Sequence, residues 1–224
     1  MYHSWCRSAG PHVEVVPITP PGRLHRIREP PLVDFEAYVE SLGNAVRAFA
    51  DRPFAFFGHS LGGLVALEVA RWLSAHSTAM PSHLIVSACA APSGESAQIA
   101  RKRNLLSDAD LLASIGIGPA PSRMLAVEKE LRTLGLSALR DDLALAASYV
   151  HRIVPPLPCP IFALVGRDDP LVRTQDVISW EKETCDKFAV IGFPGGHMFL
   201  DDSGSEVLRV VWSLIFPSTP ARLS

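Results

Sequence analysis

Gly58-His59-Ser60-Leu61-Gly62 sets a serine between glycines two residues to either side. A serine hydroxyl becomes a nucleophile when it projects from a very tight strand-to-helix turn, and glycines at those offsets let the strand and helix approach each other. The flanks suit that geometry. Phe54-Ala55-Phe56-Phe57 precedes as an apolar run of strand length, and an Ala/Val/Leu-rich helical stretch follows from Leu61 to Leu73. At the N-terminus of that helix the backbone N–H of Leu61 is expected to donate to a developing oxyanion, helped by the helix dipole. The plainer alternative makes Ser60 the cap of an ordinary glycine-rich helix start. Given these flanks, the nucleophile is the stronger reading.

A serine nucleophile needs a base in hydrogen-bond reach, held in one tautomer by a third group. Of eight histidines, only His197 follows the last apolar run, in Phe193-Pro194-Gly195-Gly196-His197, where two glycines let the loop bend back. His59 adjoins Ser60, but neighbours on a tight turn point apart, so a structural role is expected for it. For the acid, Ile161-Phe162-Ala163-Leu164-Val165 ends in Gly166-Arg167-Asp168-Asp169-Pro170. Asp169 is preferred over Asp168 because it directly precedes a proline that stiffens the turn. The preceding strand's end offers no carboxylate before Glu95, which favours the same choice. Asp201 and Asp202 lie too close behind His197 along the chain and read as exposed loop residues.

These residues need a frame. Phe35, Tyr38, Val39, Leu42, Val46 and Phe49 recur at helical spacing behind a capping Asp34. Strands are expected at 54–57 (buried on both faces), 83–88, 161–165 and 187–193, with a closing helix near 204–216. Strands alternating with helices argue for one mostly parallel sheet covered on both faces. With serine, acid and histidine following in that order, each on a loop after a strand, the expected fold is an α/β-hydrolase forming a single domain over 1–224. Residues 92–153 break the rhythm. They offer helices near 107–115, 124–134 and 137–150 and a Gly/Pro-rich turn at 116–122, and read as a helical lid.

The totals exclude other classes. The 224 residues are 48% hydrophobic and 20% charged, with a net charge of −2, so neither nucleic acid nor an anionic membrane is an expected partner. No apolar run approaches the ~20 residues of a bilayer span, and the N-terminus has no signal-peptide pattern. Cys6, Cys89, Cys159 and Cys185 are scattered without a CxxC pair, which argues against a metal site or disulfide framework and for a reducing cytoplasm. No cofactor or metal is expected, and a monomer is.

With the three positions in hand, the chain resembles the type II thioesterases, stand-alone editing hydrolases of polyketide and nonribosomal peptide synthases. The resemblance rests on VEVVPITPPGRLHRIREPP, RPFAFFGHSLGGLVALEVARWL, LPCPIFALVGRDDPLV and FPGGHMFL. It implies hydrolysis of acyl thioesters on the phosphopantetheine arm of an acyl or peptidyl carrier protein, with Ser60, His197 and Asp169 as the triad. Arg101, Lys102 and Arg103 are candidates to meet an acidic carrier, against the plainer reading of a solvated charge run. The family also begins with a strand and a glycine-rich loop, and Met1–Trp5 resembles the start of the helix after that loop. The expectation is therefore that Met1 is internal to a longer protein, with roughly 20–30 residues and a central strand before it. Without that loop a second oxyanion donor is missing, a loss of about 10²–10³ in rate. A small-molecule esterase or lipase with the same triad, and a catalytically silent binding protein, stay open as alternatives.

Overall fold

The four apolar runs become four parallel strands: β1 (Phe56–His59), β2 (Leu84–Ser87), β3 (Ile161–Gly166) and β4 (Phe188–Phe193). They lie side by side in chain order within one sheet. The computed structural model describes residues 2–9, 13–115 and 126–216. β2 is buried along its whole length and β3 nearly so, consistent with their unbroken apolar sequence. Because every strand runs the same way, all four C-terminal ends open at one edge of the sheet, where α/β proteins build their sites.

Helices cover both faces. On one side α1 (Tyr2–Ser8) and α8 (Phe199–Ile215) pack on the sheet, with Trp5, Ile85, Leu164, Phe199, Val207 and Val211 buried between them. Trp5 sits edge-on against Phe57, ring centroids 4.7 Å apart. On the other side α2 (Phe35–Arg47) and α3 (Leu61–His76) pack with Leu67, Leu73, Leu84, Ile161 and Trp180 at the centre. Asp34 caps α2, accepting from the N–H of Ala37 at 2.8 Å. After β3, α7 (Thr174–Ile178) leads back towards β4.

Residues 92–153 contain no strand among the described residues. They hold α4 (Glu95–Lys102), α5 (Asp108–Ser114) and α6 (Ala126–Ser148), inserted between β2 and β3. The Gly/Pro-rich turn expected at 116–122 lies outside the described residues.

Several boundaries differ from expectation for physical reasons. β1 starts two residues later than the 54–57 run, and Phe54, Phe56 and Phe57 are only half-buried. Among the described residues β1 pairs with β2 alone, so its other edge faces a cavity. Residues 13–18 line that cavity as extended chain without joining the sheet. Phe49 falls beyond the end of α2 and is 58% exposed. α8 begins at Phe199, so Asp201 and Asp202 are exposed residues of its first turn rather than of a loop. The two helices expected at 124–134 and 137–150 are one, continuous through Gly135. A single exposed glycine costs a helix only about 1 kcal/mol, too little to end it. α4 carries too few apolar residues to announce itself.

A Cβ added at Gly135 meets nothing within 4 Å. Gly135→Ala should therefore stabilise the protein by roughly 0.5–1 kcal/mol, read as a melting-temperature rise of about 2–4 °C. No rise, or a fall, would mean that α6 is not helical there.

Candidate active site

Ser60 follows β1 directly and precedes α3. Its backbone sits at φ 53°, ψ −123°, a conformation that L-residues rarely adopt, which lifts the side chain out of the strand-to-helix corner. Hydrogen bonds hold the corner: the N–H of Ser60 donates to the carbonyl of Ser87 (2.8 Å), and the N–H of Gly63 donates to the carbonyl of Ser60 (2.9 Å). The two flanking glycines are not equivalent. A Cβ on Gly58 would lie 2.1 Å from the carbonyl oxygen of Gly62, whereas a Cβ on Gly62 would meet nothing. Gly63 is the second constrained position, its Cβ site 3.0 Å from the Cys89 side chain. Cys89 is buried and burial pushes its thiol up to about 12, so it packs beneath the turn as a protonated, inert group.

His197 follows β4. Gly195 (φ +100°) turns the loop back over the sheet. Imidazole Nε2 lies 3.0 Å from Ser60 Oγ, and Nδ1 lies 2.9 Å from Asp169 Oδ2. A carboxylate can only accept, so Nδ1 carries the proton and Nε2 is left to accept from the serine hydroxyl. Asp169 follows β3 with its side chain 2% exposed. Its Oδ1 accepts from the N–H groups of Leu171 (2.8 Å) and Val172 (3.3 Å). The acid and base loops touch through backbone. A Cβ on Gly166 would fall 2.4 Å from the Gly196 carbonyl oxygen, and the N–H of Asp168 donates to the carbonyl of Gly195 (3.0 Å).

The structure thus brings Ser60, His197 and Asp169 into one row and leaves the rivals out. Asp168 is exposed and meets the base loop through its backbone N–H. His59 points away from Ser60, its Nδ1 3.0 Å from Ser87 Oγ on β2, which ties β1 to its neighbour. Burial, with His197 close by, brings its imidazole down to about 4, so it stays neutral. Leu61 is the first residue of α3, where a helix leaves its N–H without an intrahelical partner.

The row opens on a cavity of ≈ 1840 Å³, walled largely by apolar side chains from 13–18, α2, β1, α3, α6 and residues 171–172. Arg23 fastens α6 over it, and Arg71 braces α3 beneath. Arg23 reaches Asp141 (3.1 Å), Asp142 (2.8 Å) and the carbonyl of Ala138 (2.5 Å), and Arg71 on α3 bridges Glu68 (2.6 Å) and Glu183 (2.5 Å). Tyr149, just past α6, donates to the same Glu68 at 2.9 Å. Sequence reasoning missed Arg23, because its partners lie more than a hundred residues away with no local pattern. Among the described residues no group of three or more potential ligands could hold a metal ion, and no helix is long and apolar enough to cross a membrane.

A parallel sheet with the serine loop after β1, the acid loop after β3 and the histidine loop after β4 defines the class: a serine hydrolase of the α/β-hydrolase fold. The chain belongs, further, to the thioesterase domain family, whose model matches residues 1–213. It is 31% identical to the gramicidin S biosynthesis protein GrsT of Aneurinibacillus migulanus, over 93% of this chain and 80% of that protein. It is 35% identical to the thioesterase PikA5 of Streptomyces venezuelae, over 88% of this chain and 69% of that protein. The solved structure of the type II thioesterase BorB, from the borrelidin biosynthetic cluster, superposes with a TM-score of 0.79 at 33% identity, covering 94% of this chain and 84% of that one.

The glycine asymmetry and the buried histidine are each testable. Gly58→Ala should destabilise by about 2–4 kcal/mol through backbone collision, whereas Gly62→Ala should melt within a few degrees of wild type. Equal behaviour would contradict the corner geometry. His59, neutral in the fold down to about pH 4 and charging near 6.5 when unfolded, lets the unfolded state bind an extra proton between those values. Stability is therefore lost as pH falls through that window. His59→Gln should flatten the slope of melting temperature against pH from 6.5 to 4, and an unchanged slope would remove His59 as its source.

Proposed function

We propose that this protein is a serine thioesterase that hydrolyses acyl thioesters from the phosphopantetheine arm of carrier proteins in polyketide or nonribosomal peptide biosynthesis. The observation that carries the reading is the Ser60–His197–Asp169 row at the mouth of a large apolar cavity, in a chain of the thioesterase family. The names of the relatives support the biosynthetic setting.

In this reading Ser60 Oγ attacks the thioester carbonyl while His197 Nε2 takes its proton. Asp169 holds the ring and stabilises the imidazolium. The developing oxyanion accepts from the Leu61 N–H at the start of α3. Collapse expels the arm's thiolate, which takes the proton back from His197. A thiol of pKa about 8.5 leaves far more readily than an amine. Water then attacks the acyl-serine with His197 again as base, releasing the carboxylic acid and restoring the hydroxyl. Residues 92–153 serve as a lid that shields the acyl-enzyme and gives the acyl chain an apolar channel.

Ser60→Ala should abolish both hydrolysis of acyl-N-acetylcysteamine thioesters and labelling by a fluorophosphonate probe. Wild type should label robustly and turn over thioesters faster than matched oxygen esters. A preference for oxygen esters would instead make it an esterase, and an unlabelled, inactive wild type would make it a binding protein.

A further inference from the structure

Among the described residues three arginines line the cavity that holds Ser60 and His197: Arg23, Arg52 and Arg103. Two have counter-charges. Arg23 is bound by Asp141 and Asp142, and Arg52 reaches Glu14 at 3.6 Å and Asp51 at 3.3 Å. Arg103 is different. It opens the 3₁₀ turn Arg103–Leu105 that continues α4, and it is half-buried. Among the described residues its guanidinium has neither a hydrogen-bond nor an ion-pair partner.

Among the described residues no acid in the wall is free to supply one. Glu14, Asp141 and Asp142 are the carboxylates lining the cavity, and each is already held by another arginine. Arg103 lines the same cavity as Ser60 and His197, and the charge of Asp169 reaches it. Both Asp169 oxygens, however, are taken, by His197 on one side and the N–H groups of Leu171 and Val172 on the other. A cation drawn out of water into a largely apolar wall without a counter-ion is costly, and burial holds this one below the usual arginine range. It nevertheless stays charged at neutral pH, and its planar fork of five N–H donors matches a carboxylate or phosphate two bonds at a time.

We propose that Arg103 is a specificity residue that binds an anionic group of the substrate inside this cavity. That group is either a carboxylate at the far end of the acyl chain or the phosphate of the pantetheine arm. The proposal rests on the thioesterase reading and gives it a substrate class. Of the basic run at 101–103, Arg103 then serves recognition within the cavity rather than docking on the outside.

Two substrate pairs separate the sources. Succinyl- and butyryl-N-acetylcysteamine have matched chains and differ in a terminal carboxylate. Butyryl-phosphopantetheine and butyryl-pantetheine differ only in the phosphate. Wild type should favour the charged member of one pair in kcat/KM. Arg103→Met should lower that charged-to-neutral ratio by on the order of 10–100-fold, the worth of a charge-assisted hydrogen bond, and Arg103→Lys should recover part of it. Loss in the first pair assigns the acyl carboxylate, and loss in the second the arm. Both ratios staying within about twofold of wild type would overturn the proposal, however far the absolute rates fall. If wild type hydrolyses none of the four, the thioesterase reading fails. Calorimetric affinities of wild type and Arg103→Met for the same pairs then decide the inference by the same ratios.

Discussion

Asp169 keeps its carboxylate almost wholly out of solvent, and much of the site is arranged around what that demands. A carboxylate taken from water without partners costs several kcal/mol, so its oxygens have to be met by donors fixed in advance. Two come from its own turn, the N–H groups of Leu171 and Val172, and the third is the His197 ring. That third bond is the demanding one, because it joins loops from two different strands. It forms because Gly166 has no side chain. The base loop's carbonyl oxygens occupy the space where a Cβ would project, and the N–H of Asp168 accepts the role of tying that loop down. With the ring held at Nδ1, Nε2 has one direction to face, and Ser60 stands in it. The unusual backbone angles of Ser60 are the matching constraint from β1.

This logic explains which parts could be read from the sequence. Ser60, Asp169 and His197 were legible because a parallel sheet puts every strand's C-terminal end on one edge, so finding the strands orders the loops. The strands stood out as unbroken apolar runs, and β2 and β3 are buried as such runs require. β1 misled because its Phe-rich run read as a strand buried on both faces, whereas its phenylalanines are only half-buried and it lies at the sheet edge among the described residues. Period and composition report that a segment is apolar, not how many neighbours it has. Gly62 misled in a different way. The spacing suggested that both flanking glycines make room, yet the collision lies between Gly58 and the Gly62 backbone, and any residue at position 62 has that backbone.

The inserted helices were the hardest part to read, and their energetics show why. α6 passes through Gly135 without breaking, and α4 is mostly polar, so neither follows the pattern that a sheet-packed helix must show. What fixes them is long-range charge. Arg23 comes from the proline-bounded loop before α2, and Arg140 on α6 reaches back to Asp108 (2.5 Å) and to the carbonyls of Asn104 (3.2 Å) and Leu106 (2.7 Å). Exposed pairs contribute little individually, but Arg23 has only 19% of its side chain exposed and closes several bonds at once. The two ends of each such pair are far apart in sequence, so no local pattern announces them.

The hydrogen-bonded row and the cavity wall therefore belong largely to different parts of the chain. The sheet-end loops hold the reacting row by backbone contacts that leave little freedom. The insertion shapes the cavity through side chains that can change without disturbing those contacts. The two parts meet beside the acid. Asp176 on α7, buried to 5% exposure, accepts from the N–H of Glu95 at the first turn of α4 (3.0 Å). Arg173, directly after Val172, reaches both Asp176 (3.0 Å) and Glu95 (2.7 Å). These bonds tie α4 to a residue adjacent to Val172, whose amide holds Asp169. The same helix leads straight into Arg103.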